Sequence, residues 1–391
     1  MTALVVLAVA VAIVLLIPSC VFLLECVSSL LAPRKRHLSR PDAVSAALLI
    51  PAHNEEAAIY DTVTAILPQL APTDRLVVVA DNCDDATASR AVRAGATVVE
   101  RTDPSNRGKG YALAFGMNYL ANDPPEILIV LDADCQLTAG SIDALVARAS
   151  LTQRPVQADY VAAAADLGPL SMISFLAMLV RNRVRPRGLS RLGMPCTLTG
   201  SGMAFPWEVF CAAPSLGGEL VEDLMMGIEL ALLGHEPTLC IEARVLSTLP
   251  RTREAATSQR RRWEHGQLRM QMRYGPKLLW IGVARRRLGL IVLGLDLLIP
   301  PIALLVIVQA IAVLLSTALF AVSGSSAALV LTAIGLVSVL LGTCLGWSHY
   351  GRSEVPFRYL LLVPIYLLWK VPLYAALAAG RGQRTWERTE R

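Results

Sequence analysis

The hydrophobic pattern divides the 391-residue chain into three parts. Residues 2–31 contain one acidic residue, Glu25, and no basic residue, which is enough apolar chain to cross a hydrocarbon layer of roughly 30 Å as a helix. Three further apolar segments close the chain, at about 291–322, 327–347 and 359–379. Prolines interrupt the first and the last of them. The pattern predicts α-helical transmembrane segments on both sides of a more polar domain.

Basic residues follow the first apolar segment at positions 34, 35, 36 and 40. The positive-inside rule places this flank in the cytoplasm and the amino terminus outside. We expect an uncleaved anchor. A cleaved signal peptide is the alternative, but it would carry basic residues before a shorter apolar core. Three crossings after a cytoplasmic domain would leave the basic tail, 381–391, outside. A basic tail is expected in the cytoplasm, so we expect one of the three segments to be re-entrant or interfacial rather than to cross. The last segment is the candidate, because it contains Lys370 and two prolines.

Composition agrees with a protein that is partly in a membrane, since 54% of residues are hydrophobic and 17% are charged. The eight cysteines form no Cys-x-x-Cys pair, which favours reduced, structural thiols. Residues 251–287 hold eleven Arg or Lys against two Glu, which is typical of a surface for anionic headgroups. A nucleic-acid surface is the weaker alternative, because no recognition module accompanies it, and no nucleic acid is expected as a partner.

Strand-like and helical stretches alternate within residues 41–250. Four strands are expected, in "ALLIPAHNEE", where the strand would end at Pro51, and in "RLVVVADNCDD", "ATVVE" and "EILIVLDADCQ". Helices are expected between them at about 56–68, 85–94, 109–121 and 139–150. Regular βα alternation predicts an α/β domain with a mostly parallel sheet and right-handed crossovers.

Polar residues stand where three of these strands end: Asn54 and Glu55, Asp81 and Asn82, Asp132 and Asp134. Parallel strands end at one edge of the sheet, where open α/β sheets bind ligands. Two carboxylates as close as Asp132 and Asp134 need solvent or a bridging cation. Alone, such a pair could be an ordinary acidic loop, but the other polar strand ends indicate a wider acidic cleft.

Three other stretches carry candidate chemistry. "SNRGKGYAL", 105–113, places Lys109 between two glycines at a helix entry, which suits a diphosphate or a plain capped loop. "GGELVEDLMMGIELALLG" places Glu222 and Asp223 in a first helical turn, where they could simply complement the helix dipole. "SQRRRWEHG" lies in the basic segment, where its charges and its Trp could contact headgroups alone.

The ordered set "PAHNEE", "VVVADNCDD", "DADC", "LTGSGMAF", "VED" and "QRRRW" resembles the membrane-bound family 2 glycosyltransferases. That group includes cellulose and hyaluronan synthases, ceramide glucosyltransferase and bacterial exopolysaccharide transferases. The resemblance covers about residues 45–265. It implies a glycosyltransferase-A (Rossmann-like) cytoplasmic domain, a UDP- or GDP-sugar donor and Mg²⁺ or Mn²⁺ as cofactor.

The resemblance also implies roles for the donor side. Glu55 and Asp81 would hold the base and ribose of the nucleotide, and Lys109 would lie near the diphosphate. Asp132 and Asp134 would form the DxD metal site, with Asp134 favoured as the direct ligand and Asp132 also facing the nucleotide sugar.

The remaining roles concern catalysis and the acceptor. Asp223 matches the catalytic base of a Thr-Glu-Asp motif in which Val221 replaces the threonine here, a departure that leaves both carboxylates in place. Gln259, Arg262 and Trp263 match QxxRW, whose Arg and Trp would close over the pyrophosphate and the acceptor sugar. The expected acceptor side comprises Gly200, Ser201, Glu222 and Trp263.

The predicted function is inverting transfer of one sugar to a lipid-linked or glycan acceptor at the cytoplasmic membrane face. A bacterial inner membrane and exopolysaccharide or glycolipid synthesis are expected. The segment 170–188, apolar first and basic afterwards, suits an interfacial helix, or a core helix followed by a loop. The alternatives are a processive polysaccharide synthase and a non-catalytic regulator that binds a nucleotide sugar.

The predicted organisation has five parts. These are an N-terminal transmembrane anchor, the glycosyltransferase domain, a basic interfacial segment with QxxRW, a C-terminal transmembrane region and a basic tail, at 1–32, 41–250, 251–290, 291–380 and 381–391.

Overall fold

The computed structural model describes residues 1–32, 38–163, 168–214, 221–248 and 253–378. These residues form two compact units. The helical unit comprises residues 1–32, 168–194 and 267–378, and the sheet unit comprises the rest.

The described chain contains eight strands and fifteen α-helices. The strands are β1 Ala46–Ala52, β2 Arg75–Asp81, β3 Thr97–Arg101, β4 Ile127–Val130, β5 Cys135–Leu137, β6 Val156–Ala163, β7 Met203–Pro206 and β8 Thr238–Thr248. The helices are α1 Thr2–Ser28, α2 Ile59–Ile66, α3 Thr87–Ala94, α4 Lys109–Leu120, α5 Ser141–Thr152, α6 Pro169–Leu179, α7 Arg185–Arg191, α8 Trp207–Cys211, α9 Glu222–Leu233, α10 Arg253–Ala284, α11 Leu288–Leu297, α12 Ile302–Ser323, α13 Ala327–Gly346, α14 Phe357–Leu360 and α15 Val363–Ala378.

The strands of the sheet unit form one mixed sheet in the order β3-β2-β1-β4-β7-β6-β8-β5. The first four strands are parallel, as predicted, whereas β7 is antiparallel to β4 and β6, and β5 is antiparallel to β8. The prediction that the first strand ends at Pro51 is wrong, since β1 continues to Ala52. Pro51 is tolerated because the pairing of β1 with β4 ends at Leu49, so the missing N–H removes no bond on that side.

The sheet is covered by helices on both faces. Along β1, Leu48 and Ile50 pack on one face with residues of α2 and α5, and Leu49 packs on the other with residues of α4 and α9. A strand buried on both faces requires apolar side chains at every position. The continuous apolar runs of β1, β2 and β4 are therefore explained by their central place in the sheet.

Within the described residues of the helical unit, three helices are long and apolar enough to cross a membrane: α1, α12 and α13, the last extended to Gly351. The predicted segment at 291–322 is divided into α11 and α12, because Pro300 and Pro301 lie between them. In α15, 16 residues are described, and this helix does not qualify as a span.

Polar contacts fix the directions of the three long helices. Tyr350, after α13, donates from its hydroxyl to the Ser29 carbonyl at 2.6 Å, so α1 and α13 end at the same level. Gln309 of α12 donates to the Leu15 carbonyl at 2.9 Å and to Ser19 Oγ at 2.7 Å. Gly342 of α13 also packs against Phe22 and Cys26 of α1, so these two helices are parallel. Only residues 324–326 connect α12 to α13, so α12 is antiparallel to both.

A buried ion cluster joins three parts of the helical unit. Arg185 of α7 lies 2.7 Å from Glu25 of α1 through Nε and 2.5 Å from Asp296 of α11 through Nη2. All three side chains are less than a tenth exposed. The segment 170–188 is helical or π-helical throughout from Pro169 to Arg191, so the expected alternative of a helix followed by a loop is wrong.

Candidate active site

The carboxyl ends of β1 and β2 are shaped by two asparagines. Asn54 and Asn82 have φ of 54° and 51°, in the left-handed region that Asn tolerates better than most residues. Each turns the chain sharply just after its strand. His53 Nδ1 lies 2.7 Å from the Asp81 carbonyl oxygen and joins the two strand ends.

Asp81 lies at this edge, and its side chain is held by Arg101, which was not among the predicted site residues. Arg101 Nη1 donates to Asp81 Oδ1 at 2.6 Å, and Nη2 donates to Asp103 at 2.9 Å. Arg101 is the last residue of β3, which neighbours β2, so this pair depends on a strand order that the sequence did not predict. Glu55 is anchored through its backbone N–H, which donates to Thr87 Oγ1 at 2.8 Å.

Lys109, the first residue of α4, lies at the centre of an acidic cluster. Its Nζ is 2.5 Å from Asp132 Oδ1 and donates to the Gly200 carbonyl at 2.5 Å. Burial by itself would lower the pKa of Lys109. Three carboxylates outweigh burial and raise that pKa above its ordinary value, those of Asp132, Glu222 and Asp223. The ammonium is therefore charged and partly neutralises the cleft.

Gly200 allows a close approach between the backbone and the predicted base. Its φ is +91°, and a Cβ at this position would lie 3.0 Å from Asp223 Oδ2 and 3.7 Å from Lys109 Nζ. The next residue, Ser201, accepts a hydrogen bond from the Asp132 N–H at 3.0 Å and is fully buried. Gly200 therefore lines the acidic cluster. Ser201 instead holds the backbone of Asp132 just after β4, and its side chain is not accessible to an acceptor sugar.

Glu222 and Asp223 begin α9, as predicted. Burial and the neighbouring Asp223 raise the pKa of Glu222 to about 7, against the opposing charge of Lys109. Val221, at the position of the missing threonine, is buried. A Cβ on Gly266 of α10 would lie 2.7 Å from Val221 Cγ1, so α10 packs directly against the residue before the two carboxylates.

The residues after β4 include a group that suits a divalent cation. Ligand atoms of Asp132, Asp134 and Cys135 lie within 4.8 Å of one another. Burial, followed by the charges of the two aspartates, raises the pKa of the Cys135 thiol well above its ordinary value, so the sulfur is not ionised. Mg²⁺ and Mn²⁺ prefer oxygen ligands, so the two carboxylates fit such an ion and the thiol does not.

Gln259, Arg262 and Trp263 lie on α10, where the described structure includes the backbone but not their side chains. Their distances to the acidic cluster therefore stay predictions. The basic residues 34–36 and the tail 381–391 also lie outside the described residues. The structure thus brings together Lys109, Asp132, Gly200, Glu222 and Asp223, with Asp81 and Glu55 at the ends of neighbouring elements.

This mixed sheet, with helices on both faces and carboxylates at its carboxyl edge, has the glycosyltransferase-A fold. The model of the family described as "Glycosyltransferase like family 2" matches residues 41–266, and the chain belongs to that family. The family and the fold predicted from the motifs are thereby confirmed. A comparison with curated proteins finds no match.

Two solved structures illustrate the similarity. A mannosyltransferase from Pyrobaculum calidifontis in complex with GDP-Man and Mn²⁺ has a TM-score of 0.50 at 18% identity, covering 93% of this chain and 99% of that chain. Glucosyl-3-phosphoglycerate synthase from Mycobacterium tuberculosis, with Mn²⁺, uridine diphosphate and phosphoglyceric acid, has a TM-score of 0.37 at 23% identity, covering 57% of this chain and 78% of that chain.

Proposed function

We propose that this family 2 glycosyltransferase moves one hexose, with inversion, from a UDP- or GDP-sugar to a lipid-linked acceptor at the cytoplasmic membrane face. The observation that carries the proposal is the cluster of carboxylates around Lys109 at the carboxyl edge of the sheet. A module that only bound a nucleotide sugar would have no need for Asp223 beside Gly200. Exopolysaccharide or glycolipid synthesis in a bacterial inner membrane is the setting that this chemistry suits.

On the donor side, Glu55 and Asp81 would hold the nucleoside, and the ion pair of Arg101 with Asp81 would fix the Asp81 carboxylate. Asp132 and Asp134 would hold Mg²⁺ or Mn²⁺, which supplies positive charge to the diphosphate when bound. Lys109 places its charged ammonium beside Asp132, just after β4, and would stabilise the leaving diphosphate as negative charge develops on it.

On the acceptor side, Asp223 would accept the proton of the attacking hydroxyl, a contribution of roughly 10²–10⁴-fold. Glu222 would keep a second carboxyl next to this base and tune it through charge. Gln259, Arg262 and Trp263 would approach from α10, with Arg262 and Trp263 closing over the pyrophosphate and the acceptor sugar.

The helical unit supports a lipid-linked acceptor and suggests a topology. If α1 enters the cytoplasm at its carboxyl end, then the antiparallel α12 leaves the cytoplasm and the parallel α13 returns to it. The chain after α13 is then cytoplasmic, and α15 need not cross. This arrangement leaves the basic tail inside and accounts for the predicted re-entrant or interfacial character of the last segment.

The test of the proposal compares Asp223→Asn with Glu222→Gln in the full-length protein. Asn keeps the size of Asp223 but cannot take the proton, so turnover should fall by roughly two orders of magnitude, while nucleotide-sugar affinity barely changes. Glu222→Gln should retain much more activity. If Asp223 only complements the helix dipole, Asp223→Asn will cost about 0.3–1 kcal/mol of stability and transfer at a near-normal rate, which would contradict the proposal.

The product identifies the acceptor class. Purified protein would be incubated with a panel of UDP- and GDP-sugars and membrane lipids, and the lipid fraction would be examined by mass spectrometry. A lipid that gains the mass of one sugar supports single transfer. A ladder of masses supports the processive alternative.

A further inference from the structure

The loop before β7, residues 199–202, contacts two charged groups of the acidic cluster. The Gly200 carbonyl accepts a hydrogen bond from Lys109 Nζ at 2.5 Å. Ser201 Oγ accepts one from the Asp132 N–H at 3.0 Å. The position of this 199–202 loop therefore helps to set where the ammonium and the first residue of the predicted metal group lie.

The backbone of the 199–202 loop needs support to keep one conformation. Gly200 has a φ of +91° and Gly202 a φ of +66°, and they lie on either side of Ser201. Glycine loses more conformational freedom on folding than any other residue, so this arrangement is costly to order. The sheet supports one end, because the Gly202 N–H donates to the Val130 carbonyl and the Gly202 carbonyl accepts from the Ala158 N–H, both at 2.9 Å. The other end is held by a side chain.

That side chain belongs to Gln157 of β6. Gln157 is 2% exposed, and its Oε1 accepts the Thr199 N–H at 2.8 Å. Its Nε2 donates to the Ser201 carbonyl at 2.9 Å and to the Ala158 carbonyl at 3.1 Å. One amide thus bonds the backbone on both sides of Gly200, and it uses its acceptor oxygen and its N–H donors to do so. Neither a carboxylate nor an apolar side chain of the same length offers both kinds of group.

We propose that Gln157 is a positioning residue for the proposed sugar transfer. By fixing the 199–202 loop, it holds the Gly200 carbonyl against the Lys109 ammonium and the Ser201 hydroxyl against the Asp132 N–H. Gln157 is buried, so it acts through these groups and does not touch a substrate. This role rests on the proposed function, because the position of Lys109 affects a rate only if the protein transfers a sugar.

Replacement of Gln157 by methionine in the full-length protein keeps the length of the side chain and removes the amide. Turnover should fall by roughly 10- to 100-fold, since a misplacement of about 1 Å costs roughly 10²-fold in rate. The donor KM should change by less than about threefold, because the displaced groups act in the transition state and the nucleoside is held by Glu55 and Asp81. The matched control is Ser141→Ala, because Ser141 is also fully buried and its Oγ accepts the Arg244 N–H at 2.9 Å. This control should lower the melting temperature and leave turnover within about twofold of the parent.

Two other replacements of Gln157 separate positioning from packing. Gln157→Glu keeps the shape, and burial favours the protonated carboxyl, which offers one donor and one acceptor. It should therefore transfer faster than Gln157→Met, whereas a residue needed only for packing would tolerate methionine better than a buried acid. If methionine prevents folding, Gln157→Asn takes its place, because an amide one methylene shorter loses its reach to Thr199 and Ser201.

Hydrogen exchange followed by mass spectrometry measures the support of the loop without any activity. In Gln157→Met the Thr199 N–H loses its acceptor, so peptides that cover the 199–202 loop should exchange at least about tenfold faster, and the Asp132 N–H should follow. Peptides around Ser141 should exchange as they do in the parent.

A double-mutant cycle tests whether Gln157 acts through the loop. Ser201→Ala removes the acceptor of the Asp132 N–H, which is one of the contacts that Gln157 maintains. Combined with Ser201→Ala, Gln157→Met should therefore cost less in turnover than the product of the two single losses. Combined with Ser141→Ala, the losses should multiply.

Two results would overturn the positioning role of Gln157. One is unchanged hydrogen exchange of the 199–202 loop in Gln157→Met. The other is faster exchange of the loop with turnover within about twofold of the parent. A parent protein that transfers no sugar from any donor would instead refute the proposed function, and the exchange experiment would still decide whether Gln157 holds the loop.

Discussion

Replacement of Gly200 by alanine tests whether Asp223 works where the structure places it. The new Cβ would lie 3.0 Å from Asp223 Oδ2, whereas carbon and oxygen in contact normally stay about 3.3–3.6 Å apart. The carboxylate or the Gly200 backbone must therefore move by about 0.3–0.6 Å. If a misplacement of about 1 Å costs roughly 10²-fold in rate, this movement predicts a loss of roughly four- to fifteenfold in turnover.

The same substitution also strains the backbone, because alanine is unfavourable at a φ of +91° by about 1–2 kcal/mol. Two other glycines of the sheet unit serve as controls that separate the backbone strain from the contact with Asp223. Gly140 and Gly234 have φ of +76° and +112°, on either side of Gly200, and a Cβ on either would meet no atom within 4 Å. Alanine at these two positions should lower the melting temperature similarly and leave turnover unchanged.

The assay measures initial rates of nucleoside diphosphate release, with thermal unfolding of each variant measured in parallel. Gly200→Ala should fall below both control variants in turnover at similar stability. The reasoning is refuted if all three variants turn over within about twofold of one another. In that case Asp223 would not be the group whose position limits the reaction.

Three further changes address the metal, the second carboxyl and the buried ion cluster. Chelation should abolish transfer and added Mg²⁺ or Mn²⁺ restore it, and full activity in excess chelator would exclude Asp132 and Asp134 as required metal ligands. The pKa of Glu222 is raised from 4.5 to about 7 in the folded protein. Between pH 4.5 and 7 the folded state therefore keeps a proton on Glu222 that the unfolded state has lost. The free energy of unfolding consequently falls as pH rises through this range. Glu222→Gln should reduce that slope and stabilise the protein above pH 7, as measured by unfolding across the pH range, and an unchanged slope would contradict the pKa direction. Arg185→Met leaves Glu25 and Asp296 buried without their cation and should cost about 3–5 kcal/mol in detergent unfolding, whereas the partly exposed Arg187→Met should cost far less.

The parallel half of the sheet was predictable because its strands are buried on both faces. Residues 127–130 and 76–80 are apolar without alternation, and only a central strand between helix layers requires that pattern. The polar strand ends could also be predicted to meet, since parallel strands share one edge. Position alone thus located Asp81 and Asp132 at the cleft.

The other half of the sheet, which contains the antiparallel pairs and the parallel pair of β6 with β8, was not predictable in this way. Strand β7 has four residues and β5 has three, and neither is long enough to show a period of two. The pairing of β6 with β8 joins residues such as Val156 and Thr238, which are far apart in sequence. The pair of Arg101 with Asp81 likewise depends on strand order, and an arginine at a strand end carries no local sign of its partner.

The long-range contacts of α1 can form only late in synthesis, because their partners lie far along the chain. Glu25 precedes its partner Arg185 by 160 residues, and Ser29 precedes Tyr350 by 321. At about 5–20 residues per second, a ribosome needs roughly 8–32 s to reach the first partner and 16–64 s to reach the second. During the first interval α1 carries a carboxylate that has not yet met its guanidinium. The nascent protein therefore passes through a stage at which membrane quality control can recognise an unassembled first helix, and a chain truncated before Arg185 should be degraded faster than one that ends after it.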